Sequence, residues 1–428
     1  SNTSRQKINI DKFPVWGSLW DNPSGSGNLK WWKALTYEPE QQEYSEGQNL
    51  QLFSDMYSSE RSGAEGDVPY WILEKDDFKC LFALNWSGGW RFDLKQDAET
   101  TDLNVYLPPQ ETQLTLLPGE KINGPVLEIT LLKKTDEATD RKQWFDIRNE
   151  MAHAKYSMPG STFPFIYNHW YSVRFKLTEK FIKDQIKSMA PYEFDVFVVD
   201  AGWYESVGKW QPHSDKFGPG EFEGALKFVK DNGLIPGLWS CPQLVEADSN
   251  NMPPEVDQPG RYVPFMKAYL LDLAGHDFKS KLLEHISHLR NDYSMDWWKY
   301  DQDFFATESR EGKMKNVIAF QEALIAVRNA HPDLFIEGCM SGGRMINELT
   351  NSICQIHWIR DGNRNGLEHA RTNISEALGA ANFLPLEPAA SPCRYHRARP
   401  ARRGHAWPTC SARAAAGPTR CRGRRAPS

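Results

Sequence analysis

The sequence is poor in paired cysteines, in long apolar runs and in positive charge over most of its length. Seven Cys occur in 428 residues, and none stands in a CxxC spacing, so neither a disulfide framework nor a zinc site is indicated. Cys393, Cys410 and Cys421 lie near the C-terminus, while Cys80, Cys241, Cys339 and Cys354 are scattered. No apolar run approaches membrane-spanning length, and residues 1–20 carry no signal-peptide core. A chain that starts with Ser rather than Met reads as trimmed, so the missing leader assigns no compartment. The nucleotide-binding pattern GxGxxG is also missing after the first strand of the region where strands and helices alternate, which weakens a dinucleotide reading.

The net charge of −6 hides two pieces. Residues 388–428 contain ten Arg and no Lys, Asp or Glu; the rest of the chain carries 40 basic and 56 acidic residues, a net −16. So acidic a body argues against nucleic acid or an anionic membrane as partner. What is abundant is aromatic: 12% of residues, including 16 Trp. Flat rings stack on the apolar faces of sugars, and they also fill cores, which accounts for most of them.

Taken in order, residues 1–135 read as an N-terminal β-sandwich of short strands separated by Gly, Pro and Asp-rich turns. Residues 136–157 have the spacing of a helical connector. From 158 to 387, apolar strands alternate with amphipathic helices. Strands are expected near 165–170, 195–200, 234–239, 296–303, 334–337 and 353–361, with a seventh beginning at Phe383. Helices are expected over 178–189, 222–232, 276–291 and 314–330. Continuous apolar strands alternating with helices mean a parallel sheet covered on both faces. Polar groups at the strand ends favour a (β/α)8 barrel lacking its last units over a doubly wound sheet. Residues 388–428 lose all periodicity and read as a non-native reading frame or a disordered basic tail.

The chain is organised around Asp296-Trp297-Trp298-Lys299-Tyr300-Asp301-Gln302-Asp303, an aromatic strand that ends in a lysine and two acids. The stretch Ile353 to Gly362 repeats the design and ends in Arg360-Asp361. Two carboxylates at two strand ends are the minimum set for cleaving a glycosidic bond. Lys299 lies two residues before Asp301 on the same strand face, where its charge should help keep Asp301 ionised. The plain alternative is that Asp301 caps a following helix. Asp303 is a rival acid, and Asp301 with Asp303 can also be read as a metal-binding pair.

Six motifs stand in order at strand ends: Asn168-His169-Trp170, Asp200-Ala201-Gly202-Trp203, Gly237-Leu238-Trp239, Lys299-Tyr300-Asp301, Cys339-Met340-Ser341-Gly342-Gly343-Arg344 and Trp358-Ile359-Arg360-Asp361. In this series the chain resembles glycoside hydrolase family 36, the α-galactosidase-like group, over about residues 70–387. The resemblance implies a sandwich followed by a barrel and retaining hydrolysis of terminal α-linked sugars in an oligosaccharide or glycoconjugate. Asp301 would be the nucleophile and Asp361 the acid/base. Asp200, Trp203, Trp239, Lys299, Cys339, Gly342, Gly343, Arg344 and Trp358 would form the sugar pocket. No metal or organic cofactor is implied. Bacterial relatives lead us to expect a homo-oligomer, with cytoplasm, periplasm and secretion all open as compartments. A transferase of the same group, or a non-catalytic sugar-binding protein, would present the same residues.

The bottom-up reading leaves several of these positions two-sided. Trp203 and Trp239 suit stacking or core packing equally, Gly342-Gly343 a ligand approach or a turn, and Arg344 could fork onto hydroxyls or onto Glu337. Three departures bear on specificity. Ala201 replaces the second Asp of Asp-Asp-Gly-Trp, Ser240-Cys241-Pro242-Gln243 replaces Glu-Pro-Glu, and Met266-Lys267-Ala268 lacks an expected Arg. Sites that bond a hydroxyl discriminate strongly by it, so another α-linked sugar, such as an N-acetylated one, is expected to compete with plain galactose. Arg360 stands where the family commonly has Ser, and a cation there would lower the pKa of a general acid if the side chains met.

Overall fold

The structure, a computed structural model, describes residues 1–21, 27–34, 37–45, 47–55, 65–75, 77–136, 139, 142–143, 146–147, 164–246, 262–263, 267–275, 277–301, 312–359, 367–380 and 389–390. The N-terminal part is antiparallel. Its strands are β1 (Ile8–Ile10), β2 (Phe13–Asp21), β3 (Gly27–Lys33), β4 (Pro39–Tyr44), β5 (Asn49–Asp55), β6 (Glu65–Lys75), β7 (Phe78–Asn85), β8 (Trp90–Gln96), β9 (Thr100–Leu107), β10 (Leu114–Leu116) and β11 (Val126–Lys133). The order β11-β7-β6-β5-β8-β9-β2 makes one folded sheet, with β3 and β4 branching from β6 and β1 pairing with β10. The long β6 joins the two halves: its start pairs with β5, and its end pairs with β3 and β7. The two halves face each other as in a sandwich. Trp71 stacks between Phe82 and Trp90 in the interior, with ring centroids 5.4 Å from each. Alternation is clean on β9, where every second residue is buried, as expected of a sheet with one wet face.

The second part is parallel. Its sheet runs β12 (Ile166–Asn168), β13 (Val196–Val199), β16 (Ile235–Ser240), β20 (Trp297–Tyr300), β21 (Phe335–Gly338), β22 (Ile356–Trp358) and β23 (Ala389–Ala390) in spatial order. A hairpin, β14 (Tyr204–Ser206) and β15 (Lys209–Pro212), and a small sheet of β17 (Leu244–Glu246), β18 (Tyr262–Val263) and β19 (Ala268–Leu270) are inserted after β13 and β16. Seven consecutive parallel strands without a reversal are the stave order of an incomplete (β/α)8 barrel. Among the described residues no helix is long and apolar enough to cross a membrane.

Strand parity sorts side chains into two layers. Ile166, Val196, Val198, Trp297, Cys339, Ile356 and Trp358 cluster on the barrel's inner side. Phe197, Val199, Leu238, Trp298, Tyr300 and Ile336 belong to the larger core shared with the helices. The helix Glu179–Met189 shows why the sequence folds this way. Thr178 caps it by accepting from the Phe181 N–H, and Ile182, Ile186 and Met189 form its single buried stripe. The helices Glu221–Asp231, Phe278–Tyr293 and Lys313–Ala330 fall within two residues of the expected bounds.

Three expectations need adjustment or fall outside. Ile353 closes the helix Glu348–Ile353, so β22 starts only at Ile356; an Asn347 capping box holds that helix and shortens the apolar run available to the strand. The expected seventh strand at 383–386 lies outside the described residues. The strand pairing with β22 is Ala389–Ala390, inside the stretch that carries no strand signal. Most of the connector 136–157 also lies outside.

The two parts are held by buried polar contacts. Lys313 Nζ meets Glu111 Oε1 at 2.9 Å with both side chains almost fully buried. Asn351 donates to the Tyr70 hydroxyl, which donates to Glu348, and Asn347 donates to Ser87. Tyr37, buried beside β3, donates to the carbonyl of Ile359 at the end of β22 at 3.0 Å.

Candidate active site

The C-terminal ends of β12, β13, β16, β20, β21 and β22 converge on a group of buried charges. The pattern Trp297, Lys299, Asp301 places alternate residues of one strand on the inner face. Gly237 makes room for this: a Cβ there would lie 3.0 Å from Val198 and 3.1 Å from the Trp297 ring. Asp301 follows the last residue of β20 and is half-buried. Its Oδ2 accepts from Trp239 Nε1 at 3.0 Å, its carbonyl accepts from Gln243 Nε2 at 2.9 Å, and its own N–H donates to the Ser240 carbonyl at 3.2 Å. The next described helix begins at Lys313 with Gly312 as its N-cap, so capping of that helix does not account for Asp301.

The ion pair shown by Lys299 is with Asp200, at 2.6 Å, both side chains at most 5% exposed. The sequence placed Lys299 beside Asp301 and did not reveal this pairing. Asp200 sits just beyond β13, two strands from β20, and reaches across the inner face. Its Oδ2 also accepts from Asn168 Nδ2 at 2.5 Å, and Oδ1 accepts from the Ala201 N–H at 2.7 Å. Burial pushes the Asp200 carboxyl up, but the charge and hydrogen bond of Lys299, with Asn168 adding to them, hold it below the usual range. Burial disfavours the Lys299 ammonium, and Asp200 overrides it, so the lysine stays charged. The ammonium also lies 4.7 Å from the centre of the Trp358 ring, a cation–π contact in a dry site.

His169 completes the support. Its Nδ1 accepts the Asp200 N–H at 2.8 Å and its Nε2 faces the Arg174 carbonyl at 3.1 Å, which assigns the neutral form protonated on Nε2. Burial lowers its pKa to about 4, in agreement.

On the other side of Lys299 stands Glu337, its register partner on β21. Oε2 accepts from Trp297 Nε1 at 2.7 Å. Burial, only partly offset by Lys299 and Trp297, pushes this carboxyl up to about 7.

The sequence-derived pocket is therefore partly assembled. Asp200, Lys299 and Trp358 come together through direct contacts, Asp301 and Trp239 form a second contacting pair at the neighbouring strand ends, and Cys339 is buried at the end of β21. Trp203 is placed in the core, the second of the two readings left open for it. Gly202, at φ +101°, turns it behind the sheet, where it is fully buried and stacks on Phe222 with centroids 5.1 Å apart. Its Nε1 donates to the Trp239 carbonyl, so it supports Trp239 from behind. Gly342 and Gly343 have φ +83° and +92°. The close approach at Gly343 is by the protein itself, since a Cβ there would lie 2.4 Å from the Tyr37 hydroxyl. Arg344 is half-buried. Asp361, Asp303 and Arg360 lie outside the described residues. Sequence reasoning missed Gln243 and His169 as supports; both sit in or beside motifs that were legible, but the Asp301 carbonyl that Gln243 holds and the Asp200 N–H that His169 accepts are backbone atoms distant in sequence.

Comparison with known proteins accords with this arrangement. The family model described as Melibiase matches residues 134–372, more than half of the chain. Alpha-galactosidase Mel36A of Lactobacillus acidophilus is 24% identical over 289 residues, which cover 61% of this chain and 38% of that protein. The bifunctional alpha-galactosidase/sucrose kinase AgaSK of Mediterraneibacter gnavus is 25% identical over 276 residues, covering 60% and 29%. The chain thus spans well under half the length of these relatives. Among solved structures, the galactosidase domain of AgaSK superposes with a TM-score of 0.73 at 21% identity, covering 89% of this chain and 54% of that one. The alpha-galactosidase AgaA of Geobacillus stearothermophilus superposes at 0.70 and 17% identity, covering 88% and 55%. These likenesses in structure concern the fold.

Proposed function

The chain belongs to the melibiase family, and from that premise we propose that it is a retaining glycoside hydrolase that cleaves terminal α-linked, α-galactoside-like sugars. The observation that carries the reading is Asp301. It is a carboxylate at the end of a barrel strand, held from one side by Trp239 and Gln243 and standing beside the Asp200–Lys299 pair. In this reading a carboxylate oxygen of Asp301 attacks the anomeric carbon as the glycosidic bond breaks, and Asp361 gives its proton to the departing oxygen. Water, deprotonated by Asp361, then opens the glycosyl ester and restores both groups. The roles of Asp301 and Asp361 are carried over from the family motifs.

Asp200 and Lys299 bind the sugar hydroxyls. A carboxylate with three donors already in place and an ammonium already paired form a rigid acceptor-and-donor edge that needs no reorganisation when substrate enters. Ala201, where relatives carry a second acid, offers only a methyl group and a backbone N–H turned to Asp200. That favours a sugar with a bulkier or less polar substituent at the position it faces, such as an N-acetylated α-glycoside.

A panel of aryl α- and β-glycosides, assayed with the wild type and Asp301→Gly, tests the reading. We expect one α-glycoside to be cleaved with retention, the variant to lose roughly a thousandfold or more, and azide to restore turnover as a glycosyl azide. A folded chain that binds sugar and cleaves nothing overturns the hydrolase in favour of a binding protein.

A further inference from the structure

Among the described residues, Glu337 is a carboxyl of the inner face that the reaction above does not use. It is fully buried and stands opposite Lys299 on the neighbouring parallel strand, where register partners face the same side. Among the described residues, the ionisable groups near enough to act on it are Lys299 on β20, Asp301 just beyond β20, Asp200 from beyond β13, and Cys354 from the turn before β22. One ammonium among three carboxylates leaves an excess of negative charge around a carboxyl that is itself fully buried. Donors decide where a proton goes. Asp200 accepts from Lys299, Asn168 and the Ala201 N–H, and Asp301 from Trp239. Glu337 accepts only from the neutral indole of Trp297, and its Oε1 has no hydrogen-bond partner among the described residues.

Resting on the hydrolase reading, we propose that Glu337 is a positioning residue that works with its proton on. Neutral, it leaves the whole charge of Lys299 to Asp200. Ionised, it becomes a second carboxylate beside the same ammonium, draws Lys299 from Asp200 and loosens both groups that hold the sugar. The loss of its proton then adds an alkaline limit to turnover, distinct from loss of the proton that Asp361 needs as general acid. Burial raises its pKa to about 7, which places that limit near neutrality.

The decisive variant is Glu337→Gln. The amide carbonyl can still accept from Trp297, but the side chain has no proton to lose. With the 428-residue chain and the glycoside that it cleaves, the alkaline limb of kcat/KM should move up by about one pH unit in the variant, whatever the height of its plateau. A role confined to packing Trp297 would leave the limb where it is, and that result overturns the proposal.

A second readout needs no turnover. Infrared difference spectra between about pH 6 and about pH 8 should show a protonated-carboxyl band that Glu337→Gln removes. No such band also overturns the proposal. Should Glu337→Gln not fold, Glu337→Asp serves, and the band should shift in frequency; a band left where it was sinks the assignment. A chain that shows the band but cleaves no glycoside rejects the hydrolase alone, leaving Glu337 as holder of the proton.

Discussion

Asp200 and Glu337 stand on opposite sides of Lys299, both buried on one barrel face, and their chemistry diverges. The pKa of Asp200 is lowered and that of Glu337 is raised to about 7. Burial pushes both upward; the difference lies in donors. Asp200 collects an ammonium, an amide and a backbone N–H, whereas the donor to Glu337 is a single indole. In a closed site, depth sets the cost of a charge, and the hydrogen bonds already in place decide which carboxylate bears it.

The largest effect should come from removing the group between them. Lys299→Met leaves Asp200 buried without its cation and should cost about 3–5 kcal/mol in urea denaturation. Sugar binding should be lost with it. If the loss is below a kilocalorie or so, the pair is not the anchor of this face.

Next comes the pH dependence of stability. The ordinary pKa of Glu337 is 4.5 and its folded value about 7, so the folded protein holds this proton more tightly than the unfolded chain. The contribution is full below about 4.5 and is lost as pH rises through about 7, on the order of 3 kcal/mol in all. Glu337→Gln should remove that slope, so the variant gains on the wild type between acid and neutral pH. Parallel curves for the two proteins across that range would show that Glu337 does not titrate there.

The smallest effects sharpen a second contrast, between the two tryptophans. Trp239→Phe removes the donor to Asp301 and should lower kcat/KM by roughly ten- to a hundredfold, the worth of a bond to a charged group. Trp203→Phe should cost about 1 kcal/mol of stability and leave KM within about twofold. A rise in KM for Trp203→Phe alone would return that ring to the pocket.

Most of the barrel was legible because each strand is a short apolar run that ends in a polar residue, and Thr178 and the stripe Ile182, Ile186, Met189 are local signals. Asp200, Lys299 and Asp301 were legible as a group for the same reason. Their pairing was not. Lys299 and Asp301 are two residues apart in sequence, but the ion pair runs to Asp200, 99 residues away, because strand register and not sequence spacing sets who meets whom. Glu337 shows the same limit: its inner-face parity can be read from the sequence, while its place opposite Lys299 requires the register of β20 on β21. Trp203 was ambiguous for a different reason. Only the φ of +101° at Gly202 tells which way the chain turns after Asp200.

The Tyr37 hydroxyl occupies the space that a side chain at Gly343 would take, and it holds the carbonyl of Ile359 as well. Positions 37 and 343 are therefore one mutational unit although three hundred residues separate them. A library that varies the glycine loop to change sugar preference would return few survivors unless residue 37 is varied in the same molecules. A barrel transplanted onto a foreign N-terminal domain would need its own plug at that spot.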